Sequence, residues 1–241
     1  MEIKKDGYMK YISHLDMMKL FKNAFKIAGI RLDYSQGFNP HPKMGFAQPL
    51  PLGYSSLCEL LEFETKEYME PAVINDKIGG VVPKGIKPLG CRRTDGGKSL
   101  SARTYAAAYE ITIPVSSDFD VKNDAGLCAD FLKREKITVI KKQKKTGRQA
   151  ETDIRCKIRE LSVAKQEFRP DANATVSEVS QSDLSGVHME TPVIVLKAKL
   201  DCGSDSNLSP ELLISAFCSF AGISAAREEI DVRRTEIFFT V

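Results

Sequence analysis

The sequence has no tryptophan and only three histidines, His14, His41 and His188, among its 241 residues. Its six cysteines lie far apart, and no two of them form a Cys-x-x-Cys pair. A structural zinc site or an iron–sulfur cluster needs clustered thiolates or histidines. The sequence therefore predicts no metal site and no bound cofactor.

Long apolar runs and a strong net charge are also missing. No stretch approaches the about 18 consecutive apolar residues of a membrane span. Met1 is followed by charged residues rather than by an apolar run, so we expect no signal peptide, no membrane association and a cytoplasmic location. The net charge is only +3 at pH 7. Any binding of nucleic acid must therefore rest on local patches of charge.

Strand and helix patterns occur in the same order twice along the chain. In the first half, strands are predicted at residues 8–12, 43–47, 57–64 and 86–92, with helices at about 14–28 and 71–78. In the second half, strands are predicted at 105–114, 137–140, 193–200 and 231–241, with helices at about 121–133 and 209–221. This order predicts an α+β fold of two tandem ferredoxin-like (βαββαβ) domains, the second with a long insertion.

The domain boundary is predicted at a short, polar, glycine-rich stretch. Residues 1–95 form the first predicted domain, 96–103 the linker and 104–241 the second domain. The predicted insertion covers about 145–192. Within it, residues 171–186 are rich in Ser, Ala, Asp and Asn and lack aromatics, which indicates a mobile loop.

The first helix has a clear start signal in Ser13-His14-Leu15-Asp16, a variant of the capping box. His14 lies in the first turn, where the helix dipole disfavours the imidazolium. Spacings of three and four residues predict a buried face formed by Leu15, Met18, Phe21, Phe25 and Ala28.

Residues 34–53 are the most unusual stretch, with Gly, Pro, Asn, Gln, His and Lys placed between aromatics directly after the first helix. Gly37 can adopt a positive φ, and the prolines at 40 and 42 stiffen the loop. Stiff loops on a rigid scaffold often carry function. We therefore predict a ligand- or RNA-binding site formed by Gln36, Asn39, His41 and Lys43. The alternative is a proline-braced connector that happens to carry polar residues.

A basic segment follows the strand predicted at 137–140. Residues 133–148 contain eight basic residues and one acid, Glu135. A hairpin arm of this charge can follow a phosphate backbone, and the alternative is a solvated, charged hairpin tip. The arm is formed by Lys141, Lys142, Lys144, Lys145 and Arg148.

Residues 153–159 alternate between charged and apolar side chains. Arg155 is a candidate for bidentate contact with phosphate or carboxylate. The alternative is a surface strand with Asp–Arg pairs.

A catalytic role is the alternative for the first half. His14 and His41, with Lys43, are candidates for general acid–base cleavage of RNA. The sequence contains no phosphate-cradling P-loop and no nucleophile elbow. A metal-independent endoribonuclease therefore stays an alternative to a binding protein.

Several of these runs resemble a known family. They are SHLD at residues 13–16, YSQGFNPHPK at 34–43 and PLPLG at 49–53, together with the segments at 153–155 and 234–236. They are similar to the radical-SAM-linked proteins, the family labelled domain of unknown function 2344. The resemblance extends over nearly the whole chain.

The resemblance implies the cellular process in which the protein takes part, but no specific activity. Members occur alone or fused behind a radical-SAM domain, and their genes often lie near those of ribosomal proteins and of a ribonuclease of the E/G type. This implies work on RNA or the ribosome, such as modification of tRNA or rRNA. The present chain lacks the Cys-x-x-x-Cys-x-x-Cys run that binds a radical-SAM cluster.

We therefore expect a stand-alone, non-catalytic partner of a radical-SAM enzyme that binds RNA or presents a substrate. A protein–protein adaptor without RNA binding is a further alternative, and no DNA partner is expected.

Overall fold

The computed structural model describes residues 1–94, 96–116, 119, 124–142, 149–170 and 190–240, with side chains at all of these except 124, 125, 142, 165–170, 190 and 191. The described residues form ten strands: β1 (Glu2–Lys5), β2 (Met44–Phe46), β3 (Ser55–Phe63), β4 (Ile86–Gly90), β5 (Thr104–Pro114), β6 (Thr138–Lys142), β7 (Gln149–Asp153), β8 (Ile158–Pro170), β9 (Glu190–Asp201) and β10 (Asp231–Phe239). They also form five α-helices: α1 (His14–Ile27), α2 (Pro71–Gly79), α3 (Leu100–Arg103), α4 (Asp124–Lys133) and α5 (Pro210–Ala221).

The fold combines mostly antiparallel strands with few helices, which is compatible with the predicted α+β class. None of the helices in the described ranges is long and apolar enough to cross a membrane. Two compact units make up the chain. The first comprises Met1–Tyr109, Lys199–Leu208 and Val232–Val241, and the second comprises Glu110–Ala198 and Ser209–Asp231.

The sheet of the first unit is built around β3. Strands β1 and β2 pair antiparallel with β3, and β4 pairs antiparallel with β1. On the other side, β10 runs parallel to β3, with Arg234 opposite Ser56. Residues 104–109 of β5 and 199–201 of β9 complete the strand order β4-β1-β3-β10-β5-β9.

Helix α1 covers the core of the first unit. Its buried residues are Met17, Phe21, Ala24 and Phe25, and they pack with Ile3, Leu61 and Phe46. The predicted buried face is therefore only partly right. Leu15 is 70% exposed, because the stripe that faces the sheet begins at Met17, one turn into the helix.

The strand predicted at residues 8–12 is wrong. Gly7–Tyr11 form a 3-10 turn without a buried residue, and the first strand is β1. Gly7 adopts a φ of 58°, a left-handed value that ends an extended chain and favours glycine. The signal for the strand lay in Ile3 and Lys5, which alternate with exposed Glu2 and half-buried Lys4.

The second unit contains β8 beside β9 and β9 beside residues 110–114 of β5. Helices α4 and α5 pack through Phe131 and Phe217, whose rings lie 5.4 Å apart in an edge-to-face arrangement. Strands β6 and β7 form a separate antiparallel pair. Strands β7 and β8 occupy part of the range predicted as an insertion, whereas the predicted mobile loop at 171–186 lies outside the described residues.

Residues 153–159 do not form the predicted alternating strand. Strand β7 ends at Asp153, a 3-10 turn covers Arg155–Lys157, and β8 begins at Ile158. The Asp153 carboxylate accepts hydrogen bonds from the backbone N–H groups of Ile137 at 3.0 Å and Arg155 at 2.9 Å. A carboxylate that satisfies two backbone donors stabilises this turn in preference to a continued strand.

Candidate functional site

Residues 33–43 form a closed hairpin, called here the reading hairpin. Tyr34 and Pro42 face each other in an antiparallel bridge. The Ser35 N–H donates to the His41 carbonyl at 2.8 Å, and the His41 N–H donates to Ser35 Oγ at 3.0 Å. Tyr34 packs partly buried against the core. The arms of the hairpin are therefore fixed, and the chain reverses at Gly37, whose φ is 130°.

The tip of the reading hairpin points its side chains into solvent. Gln36, Asn39 and His41 are exposed, and Phe38 is fully exposed, at 111% of its reference area. The Phe38 ring is therefore free of packing with the core. The tip presents two amides, an imidazole and a ring to whatever binds there.

Lys43 is the brace at the base of the hairpin. Its Nζ lies 2.8 Å from an oxygen of Asp33 and 2.8 Å from an oxygen of Glu64. Backbone hydrogen bonds join the same three residues: Lys43 N–H to the Asp33 carbonyl, Asp33 N–H to the Glu64 carbonyl and Glu64 N–H to the Lys43 carbonyl, all at 2.8–2.9 Å. The hydrogen bonds to the two carboxylates raise the pKa of Lys43.

A second fixed segment, residues 48–49, follows the hairpin and is held from β10. The guanidinium of Arg234 is completely buried. It donates to the carbonyls of Gln48 at 2.9 Å and Pro49 at 3.0 Å, and it lies 3.3 Å from an oxygen of Glu59. We call this arrangement the arginine clamp. Two loop carbonyls therefore accept hydrogen bonds from a buried guanidinium instead of from water.

Further polar groups surround the clamp. Lys5 is buried and donates to the Ile12 carbonyl at 3.4 Å, and burial lowers its pKa. Burial raises the pKa of the Cys58 thiol to about 11 and also raises the pKa of Cys202. Both thiols are therefore protonated at neutral pH, which disfavours a role as nucleophiles.

His14 lies at the start of α1, where Ser13 Oγ accepts a hydrogen bond from the Asp16 N–H at 3.1 Å. Its ring packs edge-on against Phe46, 5.8 Å between centroids. Burial lowers the pKa of His14 below its usual 6.5. The side chain is therefore neutral at pH 7.

The predicted arm lies in the second unit. Lys141 is exposed on β6, and the Lys142 backbone pairs with Gln149 of β7. Residues 143–148, and with them Lys144, Lys145 and Arg148, lie outside the described residues. Arg155 is half-buried and its Nε donates to the Leu132 carbonyl at 2.7 Å, so part of its guanidinium serves the fold of this unit.

A family model described as "Uncharacterized protein conserved in bacteria (DUF2344)" matches residues 1–210. The chain belongs to the DUF2344 family. This confirms membership in the DUF2344 family, which the motif runs suggested. No curated protein matches the chain.

In this DUF2344 protein, two of the motif runs meet in the first unit, because Arg234 of the run at 234–236 donates to the Pro49 carbonyl of the run at 49–53. His14 of the SHLD run contacts Phe46, which lies between the runs at 34–43 and 49–53. Among the described residues, no group of three or more His, Cys, Asp and Glu side chains is arranged to hold a metal ion.

Sequence reasoning missed the arginine clamp. The signal was present in β10, where Val232, Arg234 and the buried face of the strand share the same alternation. A charged residue at an apolar position of a strand predicts a buried partner, which here is Glu59. That partner cannot be identified from one sequence, because it lies 175 positions away in the chain.

We expect the variant Arg234→Met to lower the free energy of unfolding by about 3–5 kcal/mol, because it leaves Glu59 as a buried, unpaired charge. The double variant with Glu59→Met should recover part of this loss, since it removes both charges together. The free energies are measured by urea denaturation.

The control for the clamp is Arg233→Met, at the exposed neighbouring position. A surface change of this kind should alter stability by no more than about 0.5 kcal/mol. Equal losses at Arg233 and Arg234 would contradict the clamp.

We expect acid to destabilise the protein partly through His14. The unfolded chain binds a proton at His14 near pH 6.5, whereas the folded protein binds it only at lower pH. Stability contributed by the neutral ring is thus complete above about pH 7 and declines as the pH falls below about 6.5. Between about pH 7.5 and about pH 5.5, the wild type should lose more free energy of unfolding than His14→Gln. An identical loss in both proteins would refute this assignment.

Proposed function

We propose that this DUF2344 protein binds RNA through the reading hairpin, as a non-catalytic, substrate-presenting partner of a radical-SAM enzyme in RNA modification or ribosome-linked metabolism. The observation that carries the RNA part is the fully exposed ring of Phe38 between Gln36 and Asn39. The partnership with a radical-SAM enzyme rests on the resemblance of the motif runs.

Single-stranded RNA offers the chemistry that this tip fits. Unpaired bases stack on aromatic side chains, and amide groups hydrogen-bond to the exposed base edges. The Ser35–His41 hydrogen bonds and the Lys43 brace fix the tip before binding. A fixed loop loses less conformational entropy when it binds, which favours affinity.

The state of Lys43 favours binding over catalysis. Two carboxylates hold its ammonium group and raise its pKa. A group that keeps its proton at neutral pH is a poor general base and a weak general acid. The nuclease alternative then depends on His14 and His41 alone, and cleavage that survives His14→Ala and His41→Ala would remove it.

Strand order supports the finer prediction of two ferredoxin-like halves. In the first half the order is β4-β1-β3-β2 with antiparallel neighbours, as in the split βαβ pattern. The second half repeats the chain order strand, helix, strand, strand, helix, strand with β5, α4, β8, β9, α5 and β10. Its strands follow the order β10-β5-β9-β8. The strand predicted at 137–140 is β6, which pairs with β7 in a separate sheet. Strand β8, inside the range predicted as an insertion, takes the place that the prediction gave to β6.

We expect Phe38→Ala to weaken binding of a single-stranded RNA oligomer by about 5- to 150-fold, since one base–aromatic stack contributes about 1–3 kcal/mol. Stability should not change, because the ring is outside the core. Fluorescence anisotropy gives the affinity and urea denaturation the stability.

The matched control for Phe38 is Tyr8→Ala, because Tyr8 is also an exposed aromatic, at 93%, and lies outside the hairpin. If Phe38→Ala bound RNA with the affinity of the wild type, the hairpin would not be the RNA-binding element. Equal losses in both variants would show only a general effect of exposed rings.

The basic arm should appear in the salt dependence of RNA binding. For single strands the slope of log K against log salt is about −0.7 per neutralised phosphate. Replacing Lys141, Lys142, Lys144, Lys145 and Arg148 by Gln should therefore make the slope shallower by up to about 3.5. A slope that stays the same in the variant would mean that the arm does not contact phosphates.

A further inference from the structure

A cleft of about 880 Å³ opens in the first unit beside β2, β3 and α2. Its apolar floor is the open edge of the core, formed by Met44, Phe63 and Met69, which are only partly buried. The volume lies within the about 300–1,000 Å³ typical of small-ligand sites. The cleft therefore has an apolar surface and a volume that suit a single small ligand.

The polar groups of the cleft have a definite chemistry. Tyr68, Arg92 and Arg93 are exposed to it, and the Arg93 guanidinium lies 5.9 Å from the centre of the Tyr68 ring. The Tyr68 hydroxyl donates to Glu70 at 2.6 Å, which orients the ring. An oriented ring suits a flat aromatic ligand, and arginines suit a phosphate because of their planar, bidentate donors.

Carboxylates line the same cleft. Glu64 and Glu62 both contribute to its wall. Glu62 accepts one hydrogen bond, from the Leu100 N–H at 3.1 Å, and a carboxylate can accept several. Such groups accept from the N–H donors of a base or from ribose hydroxyls.

The cleft and the reading hairpin share a residue. Lys43 braces the base of the hairpin through Asp33 and Glu64, and both Lys43 and Glu64 also line the cleft. The base of the reading hairpin therefore forms part of the wall of the cleft.

We propose that the cleft holds one unstacked nucleotide, with its base on the Met44–Phe63–Met69 floor beside Tyr68 and its phosphate on Arg92 and Arg93. The inference rests on the proposed function, because the nucleotide belongs to the RNA strand that the hairpin binds. A free mononucleotide has the same chemistry, so the experiment separates the two sources. This site would present one nucleotide away from its neighbours, as base-modifying chemistry requires.

The test uses the full chain and a single-stranded RNA oligomer that carries 4-thiouridine at successive positions. After irradiation, mass spectrometry maps the crosslinked peptides, and anisotropy gives the affinity. We compare the wild type with Tyr68→Ala and with the double variant Arg92→Gln/Arg93→Gln. The controls are Tyr8→Ala and Arg233→Gln, exposed residues of the same unit that do not line the cleft.

The expected result is a crosslink in the peptides around residues 63–69 or 91–94 that the cleft variants lose and the controls keep. RNA affinity should fall by about fivefold or more in each cleft variant, while the crosslink at the hairpin persists. RNA binding that depends on Phe38 but is unchanged by all cleft variants would overturn the cleft and leave the proposed function intact.

Uridine 5′-monophosphate provides the second arm, measured by saturation-transfer NMR. Binding of the mononucleotide that the cleft variants abolish, without any binding of RNA, would assign the cleft to a free nucleotide and refute the proposed function. If neither RNA nor the mononucleotide binds, both the cleft assignment and the proposed function are wrong.

Discussion

A single guanidinium, that of Arg234, holds the segment after the reading hairpin to the last strand of the first unit. It lies fully buried, bonds the carbonyls of Gln48 and Pro49 and faces Glu59. A carbonyl that is removed from water needs a hydrogen-bond donor, and one guanidinium satisfies two such carbonyls here. Arginine meets this need better than lysine because it keeps its proton and presents a fork of N–H groups. Burying the Arg234–Glu59 ion pair costs desolvation free energy, and the hydrogen bonds to Gln48 and Pro49 fix the path of the loop.

A fixed loop path matters because the reading hairpin is continuous with it. The clamp sets where the chain enters β3, and the Lys43 brace sets where the hairpin leaves the core. The tip lies between Asp33 and Lys43 in the chain, and its side chains at residues 36–41 are exposed. The buried Arg234 guanidinium and the exposed Phe38 ring therefore belong to one continuous stretch of structure. The buried part supplies rigidity, and the exposed part supplies contacts for a ligand.

The sequence was most informative where local signals act. The Ser13 cap, Pro210 at the start of α5 and Gly222 at its end predict helix boundaries that agree with the structure.

The sequence was least informative where the outcome depends on residues far apart in the chain. Residues 8–12 resemble a strand, but Gly7 turns the chain into a 3-10 turn. Lys43 stays a predicted binding residue, and the structure adds that Asp33 and Glu64 hold its ammonium group. No spacing rule connects Lys43 with Glu64. Gly37 and the prolines at 40 and 42 did predict a stiff loop, because glycine and proline act locally, but the pairing of Tyr34 with Pro42 was not predicted.

We propose that the reading hairpin binds a specific RNA. The test is to crosslink the tagged protein to RNA in its native cell and to sequence the bound RNA. The comparison is with the same protein carrying Gln36→Ala, Phe38→Ala and Asn39→Ala together, changes that leave the buried anchors in place. We expect one discrete site, in a ribosomal or transfer RNA, that is enriched with the wild type and lost with the triple variant. The same RNA profile from both proteins, or no enrichment over background, would contradict it.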